Sequence, residues 1–468
     1  MKRPAGHGSP VQGGTIHRTI SILDQALRQL GVEPDPAVVE HIGVLVNRAM
    51  SAQQRSFHTP EHIFDLADPE DPHVTLAALF HDVVYFQVDQ GFSDEIGSLL
   101  EPYLDMREGE IRISAQVAPD DRAFHGCAAV FGVAPGDTLH PFAGLNEFLS
   151  ALVMDLLLVG TVGDVDLLIA TASIEATIPF RGADTEGAWP PQLLARRLEQ
   201  TNAAFGLGLS PGQLNDTVNA AVRFANRDVH NFAEEDVAQF LDNTWKLLPE
   251  SNPSLRFTGI YTIRSYGIAL HKMHGFLGML QAEKVFHRHG NVPDSGEYAL
   301  LVERATRNLA TSRRYLGIKL VSAGLLDALA SLTGGDAPVA LFMGDLDPED
   351  SDAQLAAHLP EQTDYCERVE TEGDDLYRLL AHGRAGDSRF DLRNSPLSLF
   401  VYRCLGEEDL DRAIDDASAL FRGERTPRDF LGSLPARTVR AVAGAVSRLA
   451  FTRRPALERL QAELSAAG

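Results

Sequence analysis

Apolar residues recur at spacings of three and four through most of the chain. Val38, Val39, Ile42, Val46 and Ala49 are one such series. A turn of 3.6 residues brings those positions to one side, so the pattern predicts an amphipathic helix. The same spacing predicts helices over 74–85, 145–159, 164–178, 213–232, 259–289 and 297–329, and a more basic one over roughly 437–466. No sustained period-two alternation is present. The best short strand candidate is 338–343, Pro-Val-Ala-Leu-Phe-Met. No repeat of fixed period is visible. The expected fold class is mostly α.

Turn chemistry divides the chain. Residues 1–14 are rich in Gly and Pro and offer little to bury, which predicts a flexible tail. The run from Leu332 through Gly334 and Gly335 to Pro338 is the strongest breaker of the second half. It predicts a large helical domain over 15–332 and a smaller helical one over 338–468.

Charge narrows the partners. With 41 Lys+Arg against 65 Asp+Glu, the formal net charge is −24. Nucleic-acid duplexes and anionic membranes favour a basic footprint, so neither is expected as the main partner. The three cysteines, Cys127, Cys366 and Cys404, are too few and scattered for a disulfide scaffold or a Cys-based zinc site. The N-terminus lacks the apolar core of a secretory signal. The longest apolar stretch, Phe148 to Val159, is interrupted by Ser150 and Asp155 and is too short to span a bilayer. A cytoplasmic location is the expectation.

The chemically informative stretch runs from Ser56 to Tyr85. It holds His58, His62 and the adjacent pair His81 and Asp82. His58 and His62 have the i, i+4 spacing of a zinc protease, but Thr59 suits an N-cap and Pro60 the first helical position. The helix should therefore start between them, and the Glu that belongs beside the first His is missing. The two histidines then have different jobs. His81 and Asp82 close a segment that is apolar on almost every side, from Val74 to Val84. A buried imidazole beside a buried carboxylate is costly unless each is bonded or bound to an ion. With His62 and His58 upstream, a metal site is the sharper reading of that pair.

The pattern resembles the HD-domain superfamily of metal-dependent phosphohydrolases. The matching segments are Phe57, His58 and His62; Phe80, His81, Asp82 and Tyr85; and Ile174, Glu175, Ala176 and Thr177. The first also resembles the His-Asn-x-x-His segment of cyclic-nucleotide phosphodiesterases, with Thr59 in place of the Asn. The resemblance covers roughly residues 40–320 and implies an HD-type helical bundle. It implies that His62, His81 and Asp82 are metal ligands and that His58 protonates a leaving oxygen. It also implies a further Asp after the Ile-x-Ala-Thr helix.

Asp228 fits that place. Leu214, Val218, Ala221, Val222, Ala225, Val229 and Phe232 form one apolar stripe, and Asp228 lies at its edge while Arg227 points away. Asp155, also at the edge of an apolar helix, is the alternative. Glu175 follows Leu168 and Ala172 at helical spacing, so it faces inward and could hold a water or a second ion; pairing with an Arg is the other reading. Tyr85 could line the pocket. Arg181, Arg264 and Lys272, with Arg304 and Arg307 beyond them, are candidate phosphate contacts. Asp94 and Glu95 read as surface charge.

The expected chemistry is phosphoester hydrolysis with one or two divalent ions. The mixed imidazole and carboxylate ligands suit Mn, Fe, Zn or Co more than Mg alone. The expected substrate is a small phosphorylated molecule. Two rivals stand beside it. A di-iron oxygenase would need further histidines between the His-Asp pair and the last Asp, and only His125 and His140 fall between Asp82 and Asp228. A metal-stabilised sensor or scaffold would need no turnover at all.

Overall fold

The computed structural model describes residues 14–466 apart from 108, 259, 345–352, 361–373 and 406. The tail expected at 1–14 lies outside these residues except for Gly14, and so does Cys366. Helices dominate, and the fold is mostly α. The chain forms two compact units. The first comprises the residues through His230 together with Glu283–Ala299; the second comprises Asn231–Ala282 and Leu300 onwards. The break expected at 332–338 does end a helix, at Thr333, but it falls inside the second unit.

In the first unit the helices are α1 Thr15–Gln29, α2 Pro36–Met50, α3 Pro60–Leu66, α4 Pro72–Phe80, α5 Phe86–Asp89, α6 Asp94–Leu100, α7 Arg122–Phe131, α8 Leu145–Leu158, α9 Asp164–Ala176, α10 Pro190–Phe205 and α11 Pro211–Asp228. The central one is α9, which packs against α4, α7, α8, α10 and α11. That position explains its sequence: Leu167, Leu168, Ala170, Ala172 and Ile174 are buried on all sides rather than along one stripe. By contrast α11 is amphipathic, and Leu214, Val218, Ala221, Val222 and Ala225 are the buried face that the spacing predicted.

A small antiparallel sheet interrupts the helices. Its strands are β1 Leu104–Arg107, β2 Glu110–Ile113 and β3 Thr138–Leu139, in that order across the sheet. Ile111 and Ile113 are buried and Glu110 and Arg112 exposed, an alternation only four residues long and too brief to register as a sustained period.

The segment Glu283–Ala299 adds to the first unit most of α14 Ala282–Val285 and the start of α15 Ser295–Thr333; the second unit holds the rest of α15 with α12 Val237–Ser251, α13 Ile263–Met279, α16 Val339–Met343, α17 Asp375–His382, α18 Pro396–Cys404, α19 Glu407–Arg422, α20 Pro427–Ser433, α21 Ala436–Leu449 and α22 Arg454–Ala466. Within α15 an 18-residue window has a mean hydropathy of 1.5, enough by composition to cross a membrane, but 83% of it is buried inside the protein. Its apolar surface is thus already covered.

Several expected boundaries shift. The strand candidate 338–343 is the short helix α16, opened by Pro338, whose fixed φ suits a helix start. The helix expected over 259–289 stops at Met279, where Leu280 turns extended. Beyond it, the Asn226 side chain captures both backbone groups of His287, at 2.8 and 2.9 Å, and ties this segment to α11. The helix expected over 437–466 is two, because Pro455 can sit only in a first turn. The 74–85 helix ends at Phe80 and the 213–232 helix at Asp228.

A candidate metal centre

Three chain segments deliver the site. Thr59 is extended and Pro60 takes the first helical position, so α3 begins between His58 and His62, as the sequence predicts; the Thr59 side chain makes no capping bond. His62 lies in the first turn. On α4, Asp71 caps the N-terminus and His81 is the C-terminal cap, leaving Asp82 in the turn just beyond. The pair thus sits at a helix end, where side chains of consecutive residues can converge. Asp228 is the last residue of α11. Next to it Arg227 donates to the Leu66 carbonyl, pinning the end of α11 to the end of α3.

These residues meet. His62 Nε2 is 3.0 Å from Asp228 Oδ1 and 3.3 Å from His81 Nε2. His81 Nε2 is 3.0 Å from Asp82 Oδ2 and 3.6 Å from Asp228 Oδ1. The donor atoms of His62, His81 and Asp82 all lie within 4.8 Å of one another, and Asp228 joins them through the two imidazoles. The His81 side chain is 2% exposed, and the other three are between 12% and 20% exposed.

The donor set fits a divalent cation. His81 Nδ1 is 3.0 Å from the Ala78 carbonyl, which can only accept. That bond fixes the proton on Nδ1 and turns the Nε2 lone pair into the cluster. Two imidazole nitrogens 3.3 Å apart cannot stay there with both lone pairs unshared. Either a proton or a cation must stand between them and the carboxylates. Burial opposes charge on Asp82, yet the fields of His81, His58 and His62 outweigh it and hold its carboxyl well below the usual range. Asp228 is likewise brought down to about 2, against burial, by hydrogen bonds and charge from His62 and His81. Burial also opposes charge on His81, but Asp82 and Asp228 draw its imidazole well above the ordinary value. Two ionised carboxylates under two imidazoles are what a cation would find.

The rim carries two more of the sequence candidates. His58 stands edge-on to Tyr85 at a ring-centroid distance of 4.7 Å and 6.0 Å from the His62 ring. Both are partly exposed.

The structure also supplies residues that the sequence reading missed. Arg55 is fully buried and clamps the turn after α4: it donates to the Asp82 carbonyl at 2.6 Å, to the Val83 carbonyl at 3.4 Å, and to Asp89 at 2.6 Å. Its signal was position alone, directly before Ser56. Glu147, on the first turn of α8, has a buried Oε2 with no hydrogen-bond partner among the described residues. Burial, then the fields of Asp82 and Asp228, push its carboxyl up to about 7 despite opposition from its own backbone N–H and Arg181. Nearby on α8, Asn146 and Ser150 bond the backbone of Phe86 and Val84, so this helix supports the same turn.

Other candidates have different employment. The side chain of Glu175 is fully buried and shared by Arg181, at 2.6 Å, and Arg197. Of the two readings of Glu175, pairing with Arg is seen at Oε1, while its buried Oε2 has no hydrogen-bond partner among the described residues. Arg181, expected to contact phosphate, is committed to that carboxylate and to the Glu175 carbonyl at 2.9 Å. The buried Asp155 accepts from the Thr171 hydroxyl at 3.0 and 3.1 Å. Burial drives its carboxyl well above the usual range, although bonds from Thr171 and Cys127 work against this. Asp228, not Asp155, meets the imidazoles. Arg264 and Lys272 are on α13 of the second unit, where Arg264 pairs with Asp327 at 3.1 Å and Lys272 is exposed. Arg304 pairs with Glu235, and Arg307 donates to the carbonyls of Glu234 and Glu235. His125 is tied to the Ala118 carbonyl and His140 is exposed. Glu95 pairs with His41 and Arg48 at the surface.

No family model, curated protein or solved structure matches this chain.

Proposed function

We propose that the first unit is a metal-dependent phosphohydrolase of the HD type, acting on a small phosphorylated substrate such as a nucleotide or simple phosphoester. The observation that carries this reading is the meeting of His62, His81, Asp82 and Asp228, delivered by α3, the end of α4 and the end of α11. A divalent ion held by these four would supply a Lewis acid for the phosphoryl oxygens and acidify water near neutral pH.

The chain's own groups do the rest. The Ala78 carbonyl fixes the His81 tautomer, and Arg55 fixes the turn that aims Asp82. Two carboxylates and two neutral imidazoles leave a bound dication formally neutral, so charge developing on phosphate is not repelled by the site. His58 is outside the ligand set and half-exposed beside Tyr85, where it can hold a proton for a leaving oxygen. Mn, Fe, Zn and Co suit this mixture of nitrogen and oxygen donors better than Mg alone.

A second reading has an observation of its own. Arg181, the cation expected to receive phosphate, is bound up with Glu175, and Arg55 with Asp89. A metal-stabilised sensor that turns nothing over would need neither. The two readings separate with purified chain, loaded with Mn or Co, on a panel of nucleotides and phosphoesters. The hydrolase reading expects turnover, and His58→Ala to keep its metal while losing about 10²–10⁴-fold in rate. Intact metal with no turnover on any member would favour the sensor.

A further inference from the structure

The second unit contains a charged cluster that has no part in the metal centre. Asp391 Oδ2 accepts from three donors: Lys319 Nζ at 2.7 Å, Trp245 Nε1 at 3.0 Å and an Arg384 nitrogen at 3.2 Å. The side chain of Arg384 is fully buried and that of Lys319 is 7% exposed. Two buried cations therefore share one carboxylate. Among the described residues no second carboxylate contacts either of them, so there two cations face one carboxylate. Burying net charge is costly, and an anion seated beside it would offset that cost.

A cavity adjoins the cluster, lined by Lys319, Asp391, Tyr266 and Ser395. Its remaining walls are largely apolar, with Ile263, Leu326, Val339 and Leu397 among them. Two polar groups at its edge have capacity to spare. The Lys319 ammonium has three protons and spends two, on Asp391 and on Ser395 Oγ at 3.3 Å. The Tyr266 ring is buried, and its hydroxyl is buried with no hydrogen-bond partner among the described residues. An orphaned buried hydroxyl is uncommon and calls for a partner. The cavity also meets the first turn of α18, whose leading N–H groups have no intrahelical partner and receive no side-chain cap from Ser395.

We propose that this cavity binds a small monocarboxylate with an apolar body. Its carboxylate accepts from Lys319 Nζ and from the Tyr266 hydroxyl, near the start of α18. Its hydrocarbon part lies against Ile263, Leu326, Val339 and Leu397. One negative charge balances the cluster, and the apolar walls favour a chain-bearing acid over a fully hydrated inorganic anion. The site uses no residue of the metal centre and stands whether or not the first unit is a hydrolase.

Calorimetric titration of the full chain at pH 7 tests it, with sodium hexanoate as the probe and hexanamide and inorganic phosphate as comparisons. Hexanoate should bind saturably at one site, and both comparisons at least about tenfold more weakly. Lys319→Met should abolish binding. Because that change sits inside a buried network, Tyr266→Phe is the cleaner probe. Its hydroxyl has no hydrogen-bond partner among the described residues, so the unfolding midpoint should not fall, while hexanoate binding weakens about tenfold. Absence of saturable hexanoate binding to folded chain would overturn the proposal. So would equal binding of hexanamide, tighter binding of phosphate, or unchanged affinity in Tyr266→Phe.

Discussion

Glu175 and Asp228 are two acids of the first unit at inward-facing helical positions, and they end in opposite company. Glu175 meets Arg181 and Arg197; Asp228 meets His62 and His81. A guanidinium does not give up its proton in a protein. Glu175 is therefore locked into a permanent ion pair, and its carboxyl stays below the usual range although burial opposes this. An imidazole can lose its proton and offer a lone pair instead. The carboxylate beside it can then share a cation. Helical spacing delivers an acid to the interior in both cases, and the partner decides whether it is fixed in an ion pair or left able to share a cation.

Exchanging the acids for their amides separates the two roles. The largest effect should fall on Asp228→Asn, which removes a charged ligand: Mn or Co affinity should drop by more than about 100-fold in a metal titration, a loss beyond that expected for an outer-shell partner. Asp155→Asn, the control at the alternative acid, should leave that affinity unchanged. Equal losses in both would dissolve the distinction drawn between them.

Glu175→Gln should behave in reverse. Removing one partner of a buried ion pair typically costs about 3–5 kcal/mol, so urea unfolding should show a loss of that order while metal content holds. Metal loss without a stability change would instead return Glu175 to the site.

Glu147→Gln is the smallest of the three and depends on pH. The folded carboxyl sits at about 7, above its unfolded value of about 4.3. The folded state therefore binds the extra proton, and stability falls as pH rises from the lower value to the higher and stays lost above it. The amide has no such fall. Relative to the parent, it should gain about 1–3 kcal/mol between pH 5 and pH 8 in urea unfolding. A parallel pH dependence in both proteins would remove Glu147 from the account.

Much of this was legible along the chain because its cause is local. Spacing marked α2, α8 and α11, and Thr59 with Pro60 marked where α3 begins. His81 and Asp82 stood out as an imidazole and an acid closing an apolar run and Asp228 as an acid at the edge of an apolar stripe, while the motif resemblance is what joined His62 to them and called for an acid in the place of Asp228. Partners far along the chain leave no such mark. Nothing near Glu175 announces Arg197, and nothing in Arg55 announces the Asp82 carbonyl. The strands β1–β3 are two to four residues long and give alternation no length to show itself. Residues 338–343 read as a strand because a short apolar run has no period of its own, and Pro338 decided the outcome. The pairing of Asn226 with His287 carries residues 283–299 into the first unit, a long-range bond that no breaker in the sequence records.

Metal analysis of purified wild-type chain beside His81→Ala and Asp82→Ala, each checked for folding by circular dichroism, tests the central claim most directly. The account predicts bound divalent metal in the wild type and none above background in either folded variant. Full metal occupancy in either variant would contradict it.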